Sequence, residues 1–399
     1  MSKVAHTPQL RFPEFSGDWE EKKLSDISDV RDGTHESPKY VLDGFPLITS
    51  KNLLSNGSID FENINLVSEE DYTNINKRSK VDINDILFGM IGTIGNPVIV
   101  KETGFAIKNV ALIKQQKELL NKFMIFYLSG NSIAKQFYIE NTGGTQKFLA
   151  LGVIRSLKIK FPPDTEQQKI AAFLTAVDNK IEQLSKKQEL LGEYKKGLMQ
   201  QIFSQAIRFK ADDGSTFPEW KEKKLGDIVR FENGKGHEQN ISKDGKFIVV
   251  NSKFISSQGR VKKYTDTQKS PLNFGDVVMV MSDVPNGKAL AKCYYIEQDN
   301  LYSLNQRICG LKHKLADTKF IYYRINRHKY FLSFDSGVGQ TNLKKMEILN
   351  CPLNIPTDIK EQAKIANFLS SVDNKIEQMG KQLDESKQFK KALLQQMFV

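Results

Sequence analysis

Apolar residues recur at alternating intervals of three and four in two stretches of the chain, the spacing of a helix stripe that seeks a partner helix. The first stretch runs Leu174, Val177, Ile181, Leu184, Gln188, Leu191, Lys195, Leu198 and Ile202. The second runs Leu369, Val372, Ile376, Met379, Leu383, Ser386, Lys390, Leu393 and Met397. Polar entries at Gln188, Lys195, Ser386 and Lys390 can fix register at some cost in stability. Phe173, Tyr194, Phe203, Phe368, Phe389 and Phe398 flank the stripes and widen them beyond what a two-helix contact covers. Pro162-Pro163-Asp164-Thr165 and Pro356-Thr357-Asp358 put capping side chains directly after proline, which marks where each helix starts. One such stripe alone would read as an amphipathic helix packed on its own domain. Two change that reading: the pattern predicts helices within 164–210 and 357–399, paired antiparallel through Leu174, Val177, Ile181, Leu184, Leu198, Leu369, Val372, Ile376, Met379 and Leu393.

The two stretches are copies of one another. Glu166 to Phe203 aligns with Glu361 to Phe398 without a gap, at an offset of 195, with 21 of 38 positions identical. A second echo opens each half: WEEKKLSDI from Trp19 to Ile27 matches WKEKKLGDI from Trp220 to Ile228 at an offset of 201, and Phe-Pro-Glu precedes both. The chain is therefore an internal duplication, ordered variable region, helix, variable region, helix.

Within the variable regions, runs rich in Val, Ile, Phe and Tyr at Phe45–Thr49, Asp85–Ile91, Phe247–Asn251 and Gly275–Met281 are bounded by Gly, Asn and Asp. These read as strands, with helical patches at Lys122–Tyr138 and Thr318–Leu332. The expected class is α+β: two domains of mixed character at 1–163 and 211–356, joined by the two long antiparallel helices in a pseudo-twofold arrangement.

Composition narrows the function. With 39% hydrophobic and 26% charged residues, the 399-residue chain can bury more than one core. Three cysteines, none in a C-x-x-C pair, build neither a disulfide framework nor a four-ligand zinc site. The first residues carry no apolar signal segment and no run is long enough to cross a bilayer, so the expectation is a cytoplasmic protein without a membrane partner. The formal net charge is +11, and it is uneven: Phe217 to Pro356 holds 23 Lys and Arg against 14 Asp and Glu, whereas Glu20 to Pro163 holds 18 against 17. A polyanionic partner such as nucleic acid or an acidic surface fits that surplus.

Catalytic chemistry is scarce. Gly89 to Gly95 lacks the G-x-G-x-x-G spacing of a dinucleotide loop, and Gly287-Lys288 is followed by Ala289 rather than the Ser or Thr of a phosphate loop. Phe161-Pro162-Pro163-Asp164 only superficially resembles an amino-methyltransferase motif, and the five histidines form no metal-binding pair. No catalytic or metal residue is assigned. Recognition chemistry is better represented. Gly-rich loops containing Thr34 and His35, with Lys39 nearby, and Lys235 and His237 offer backbone N–H groups to phosphates and side chains to base edges. Thr145, Gln146 and Lys147 in the first half and Gln340, Thr341, Asn342 and Lys344 in the second suit adenine edges and phosphates. Arg307, Lys312 and Lys314 complete the DNA-binding candidates.

The duplicated E-Q-x-K-I-A-x-F-L-x-x-V-D-N-K-I-E segments, the W-x-E-K-K-L-x-D-I openings and the Gly-Gly-Thr-Gln stretch before the first helix resemble the specificity subunit of type I restriction-modification enzymes, over essentially the whole chain. The resemblance implies a non-catalytic subunit with two target-recognition domains, each reading half of a bipartite DNA site. It implies that the helices set the spacing and dock two modification subunits, which carry S-adenosylmethionine, while restriction subunits supply ATP- and Mg-dependent translocation and cleavage. This chain would bind no cofactor itself. A methyltransferase or nuclease in its own right would need motifs that are missing, and a coiled-coil scaffold without DNA readout would leave the two divergent domains unexplained. About 57 Å of helix would correspond to about 17 base pairs between half-sites, as an upper bound.

Overall fold

The computed structural model describes residues 7–116, 118–140, 148–285 and 287–399. Its contacts divide the chain into two units, residues 1–187 with 380–399 and residues 188–379. The long helices run Asp164–Phe203 and Ile359–Gln396, so each unit takes a part of both. The helices thus begin within two residues of the expected positions, but they are not free-standing connectors, because each unit closes its core with helix residues from both copies.

In the first unit an antiparallel inner sheet has the order Val30–Asp32, Val110–Ile113, Ile86–Gly89, Gly95–Ile99. An outer sheet orders Tyr40–Val41, Asn65–Val67, Phe45–Thr49 and Ala106–Lys108, the last two parallel. The inner strands are buried on both faces, which is why they read as unbroken apolar runs instead of alternating ones. Ile86, Phe88, Ala111 and Ile113 face one core; Leu87, Val110 and Leu112 face the other, between the sheets. The first core holds Trp19, Phe123, Ile170 and Leu174 together with Leu393, Met397 and Phe398. Lys390 reaches Asp178 at 2.6 Å and lies over the Phe126 ring.

The second unit repeats this plan. Val229–Asn233, Ile308–His313, Val277–Val280 and Cys293–Tyr295 form the inner sheet, and Phe247–Val250 runs parallel to Tyr302–Leu304 in the outer one. Val277 and Met279 face the helix-side core, Val278 and Val280 the inter-sheet core. Ile365, Ala366 and Leu369 join Ile202 beneath the inner sheet, and Lys195 reaches Asp373 at 2.6 Å over Tyr323. The two polar stripe positions Lys195 and Lys390 are thus the same residue of the repeat making the same ion pair. Leu174, Leu184, Leu198, Leu369, Val372 and Leu393 are buried, and Val177, Ile181, Ile376 and Met379 half-buried.

The two helical patches each split: Asn121–Leu128 is followed by Asn131–Glu140, and Thr318–Ile325 by Lys329–Leu332. A further helix, Glu69–Ser79, escapes the hydrophobic pattern because Ser79 is its only buried residue. Its signal is at the ends: Ser68 caps Asp71 N–H, acidic residues fill the first turn and basic ones the last.

Each long helix is seated by a buried glutamine. Gln167 accepts from Leu120 N–H and donates to the carbonyls of Glu118 and Pro162; Gln362 accepts from Asp317 N–H and donates to the Pro356 carbonyl. Replacing Gln362 by Met keeps the volume but leaves backbone groups unpaired, and should lower stability by about 1–3 kcal/mol. Chemical denaturation of the full chain measures this, and an unchanged midpoint would refute the seating role.

Candidate nucleic-acid interface

At one end of each inner sheet the strands stop together and hand over to loops. In the first unit Asp32 lies opposite Ala111 and Gly89 opposite Val110; in the second Asn233 lies opposite Cys309 and Val280 opposite Ile308. The chain then passes through Gly33 or Gly234. A Cβ on Gly33 would stand 2.3 Å from the Ile107 carbonyl oxygen, and one on Gly234 would stand 1.9 Å from that of Asn305, so only glycine allows this approach. Equivalent backbone bonds anchor both loops. Gly33 and Thr34 N–H donate to the carbonyls of Val110 and Ile107, and Gly234 and Lys235 N–H to those of Ile308 and Leu304.

Side chains on this shared frame differ. Thr34 is half-buried, and Lys39 is exposed. His35 is exposed on one side, with Nε2 2.7 Å from the buried Asp32 carboxylate and Nδ1 2.8 Å from Asn109 Oδ1; Arg78 holds the other Asp32 oxygen. In the second unit Lys235, Arg307, Gln340, Asn342 and Lys344 are exposed. Ser282–Asp283 pairs with Thr341–Asn342, and Gln340 donates to Ser282 Oγ, which brings the Gln340–Lys344 segment to the same sheet end as Lys235 and Arg307.

Four of the candidate residues sit differently from the rest. His237 is 1% exposed, bonded to Ser303 Oγ and the Lys235 carbonyl, so it braces the loop from inside instead of offering itself to a base. Thr341 is buried, with its hydroxyl on Asp335. Lys312 and Lys314 sit at the opposite end of the sheet, beyond or within the six-residue strand Ile308–His313 that spans about 20 Å. The Lys312 side chain is tied to Glu232 at 2.6 Å, and Lys314 donates to the Gly226 carbonyl. Burial pushes the Glu232 carboxyl up, but Lys312 and the Ser270 hydroxyl outweigh it and hold the group below its usual range. Thr145, Gln146 and Lys147 lie outside the described residues.

The sequence reading also passed over Asn109 and Arg78, since neither belongs to a repeated or Gly-rich motif. Cys293, Cys309 and Cys351 are buried and unpaired, with burial pushing the Cys309 thiol up to about 12, a poor setting for a reactive thiolate. Among the described residues no group of three or more His, Cys, Asp or Glu is placed to hold a metal, and no helix is long and apolar enough to cross a membrane.

These features have counterparts in known proteins. The chain is 25% identical to the type I restriction enzyme MjaVIII specificity subunit of Methanocaldococcus jannaschii, over 96% of this chain and 92% of that protein. It is also 25% identical to the putative type I restriction enzyme MjaX specificity subunit of the same organism, over 96% and 93%. Its fold is similar to the crystal structure of a type I restriction-modification S subunit from M. genitalium, at a TM-score of 0.62 and 17% identity over 98% of this chain and 99% of that one. It is similar as well to a chain from a structure described by the assembly and conformational transition of the type I restriction-modification system, at 0.54 and 15% identity over 94% and 96%. The sequence pattern of the type I restriction modification DNA specificity domain matches twice, over residues 16–191 and 218–387, one copy for each half of the duplication. This chain belongs to that family of type I restriction-modification specificity subunits.

Proposed function

We propose that each unit reads one half of a split, asymmetric duplex DNA site on behalf of a type I restriction-modification complex, and that this chain contributes recognition without catalysis. One observation carries the reading: two units with the same inner-sheet strand order anchor equivalent loops by equivalent backbone bonds, yet present different side chains from them. A shared frame with divergent side chains is what two readers of different half-sequences require. The long helices dock two modification subunits and set the gap between half-sites. S-adenosylmethionine, ATP and Mg belong to the modification and restriction subunits, in a cytoplasmic complex. The basic surplus of the second half draws affinity from phosphate counterion release, so binding weakens as salt rises.

Exchanging residues 217–356 for the same region of a relative should change one half of the methylated motif and leave the other intact. Sequencing modified bases in cells carrying the hybrid complex reads this out, and a hybrid that altered both halves would contradict separate readout.

A further inference from the structure

In each unit the second passage from the outer sheet into the inner one is short, Ala106–Lys108 to Val110–Ile113 and Tyr302–Leu304 to Ile308–His313, and each of these two passages carries one non-glycine residue in the left-handed region. Asn109 has φ 54° immediately before Val110, and Arg307 has φ 65° immediately before Ile308. The two positions are equivalent, because the flanking loops bond to the same points, Gly33 N–H to Val110 and Gly234 N–H to Ile308. Asparagine tolerates this backbone, whereas arginine does so less readily. Both backbones are pinned: the Asn109 carbonyl accepts from Ser50 Oγ at 3.0 Å, and the Arg307 carbonyl from Met281 N–H at 3.0 Å. Each side chain is therefore fixed at its root, beside the Gly33–His35 or Gly234–Gly236 loop.

What the side chains leave open is their polar ends. Among the described residues the Arg307 guanidinium makes no hydrogen bond or ion pair, and Asn109 Nδ2 has no partner. Asn109 Oδ1 is held 2.8 Å from His35, whose other nitrogen is held by Asp32, which is buried and gripped by Arg78. A buried carboxylate thus orients an imidazole, which orients an amide.

We infer that Asn109 and Arg307 are the equivalent base-reading positions of the two units, Asn109 for an adenine edge and Arg307 for a guanine edge, with His35 and Asp32 as positioning residues behind Asn109. The carboxamide matches the N6 and N7 groups of adenine, and the guanidinium fork matches O6 and N7 of guanine. The assignment rests on the reading of each unit as a half-site reader.

The test uses the full chain assembled with its modification subunits, a randomised duplex DNA library, and sequencing of the bound molecules. Asn109→Ala should weaken the preference for adenine at one position of one half-site by about 5- to 150-fold. Arg307→Ala should do the same for guanine at one position of the other half. His35→Ala should affect the position that Asn109→Ala affects, and the double variant should lose little more than Asn109→Ala alone. Asn109→Asp guards against loss of folding: it keeps the shape, removes the N–H donor, and should turn that position toward cytosine. Asn109→Ala and Asn109→Asp complexes that select the parent sequence unchanged would overturn the assignment. A parent complex that selects no sequence at all would instead bring down the underlying half-site reading.

Discussion

Arg11→Ala should destabilise the first unit by about 3–5 kcal/mol, one of the two largest effects expected of a single change here. Arg11 Nε and Nη2 meet the two oxygens of Glu166 at 2.8 and 2.7 Å, and Nη1 and Nη2 also donate to the Gly17 and Ser16 carbonyls. The Glu166 side chain is 1% exposed, so removing the guanidinium strands a carboxylate away from water. Nothing else at the site compensates, since the Trp19 indole N–H beside this core has no partner among the described residues. The same clamp recurs as Arg208 on Glu361, where the Trp220 indole N–H also donates to the glutamate. For a unit of this size the loss should appear as a fall of about 6–20 °C in its melting temperature. The double variant Arg11→Met with Glu166→Leu should recover most of the loss, because a buried pair replaced as a whole leaves no uncompensated charge. A single variant that melts with the parent would show that the pair contributes nothing.

Acid should weaken the second unit through His328. Burial, reinforced by the positive charges of Arg324 and Lys329, lowers this imidazole from 6.5 to about 4. Geometry agrees, since His328 Nδ1 accepts from Tyr330 N–H as the cap of the helix Lys329–Leu332, a role that protonation abolishes. Between about pH 6.5 and pH 4 the unfolded chain holds a proton that the folded chain refuses. Stability conferred by the neutral ring is therefore complete above pH 6.5 and falls as the pH drops through that window. His328→Asn retains a capping acceptor without a titrating group, so denaturation midpoints of the parent should fall more steeply from pH 7 to pH 4.5 than those of the variant. Parallel slopes would remove His328 from the account.

Much of the architecture was legible because it is written as periodicity and repetition. The three-and-four spacing from Leu174 and from Leu369 survives any loop arrangement, and the capping side chains after Pro163 and Pro356 placed both long helices within two residues of their starts. The buried strands Ile86–Gly89 and Val277–Val280 were legible as apolar runs, since both of their faces meet a core. Glycines that no other residue can replace marked the two loops. The Arg-Phe clamp was harder to see: Arg11-Phe12 and Arg208-Phe209 grip Glu166 and Glu361 and pack on Phe173 and Phe368 in the same way, yet the stretches joining them to Trp19 and Trp220 differ in length. The repeat was therefore hidden from a gap-free comparison.

The loop side chains mark the boundary between the two kinds of information. Residue type suggested that His35 and His237 were equivalent exposed readers, but a side chain's environment comes from strands distant in sequence. Ser303 closes over His237, while Asn109 and Asp32 hold His35 at the surface. Likewise Lys312 and Lys235 are both basic and both in the second half, and only strand register shows that they occupy opposite ends of one sheet. Local spacing thus sufficed for the duplication, the helices and the family, because each is a pattern along the chain. Which polar groups are free to meet a ligand was decided by tertiary packing, because freedom depends on what partners the fold brings within hydrogen-bonding reach.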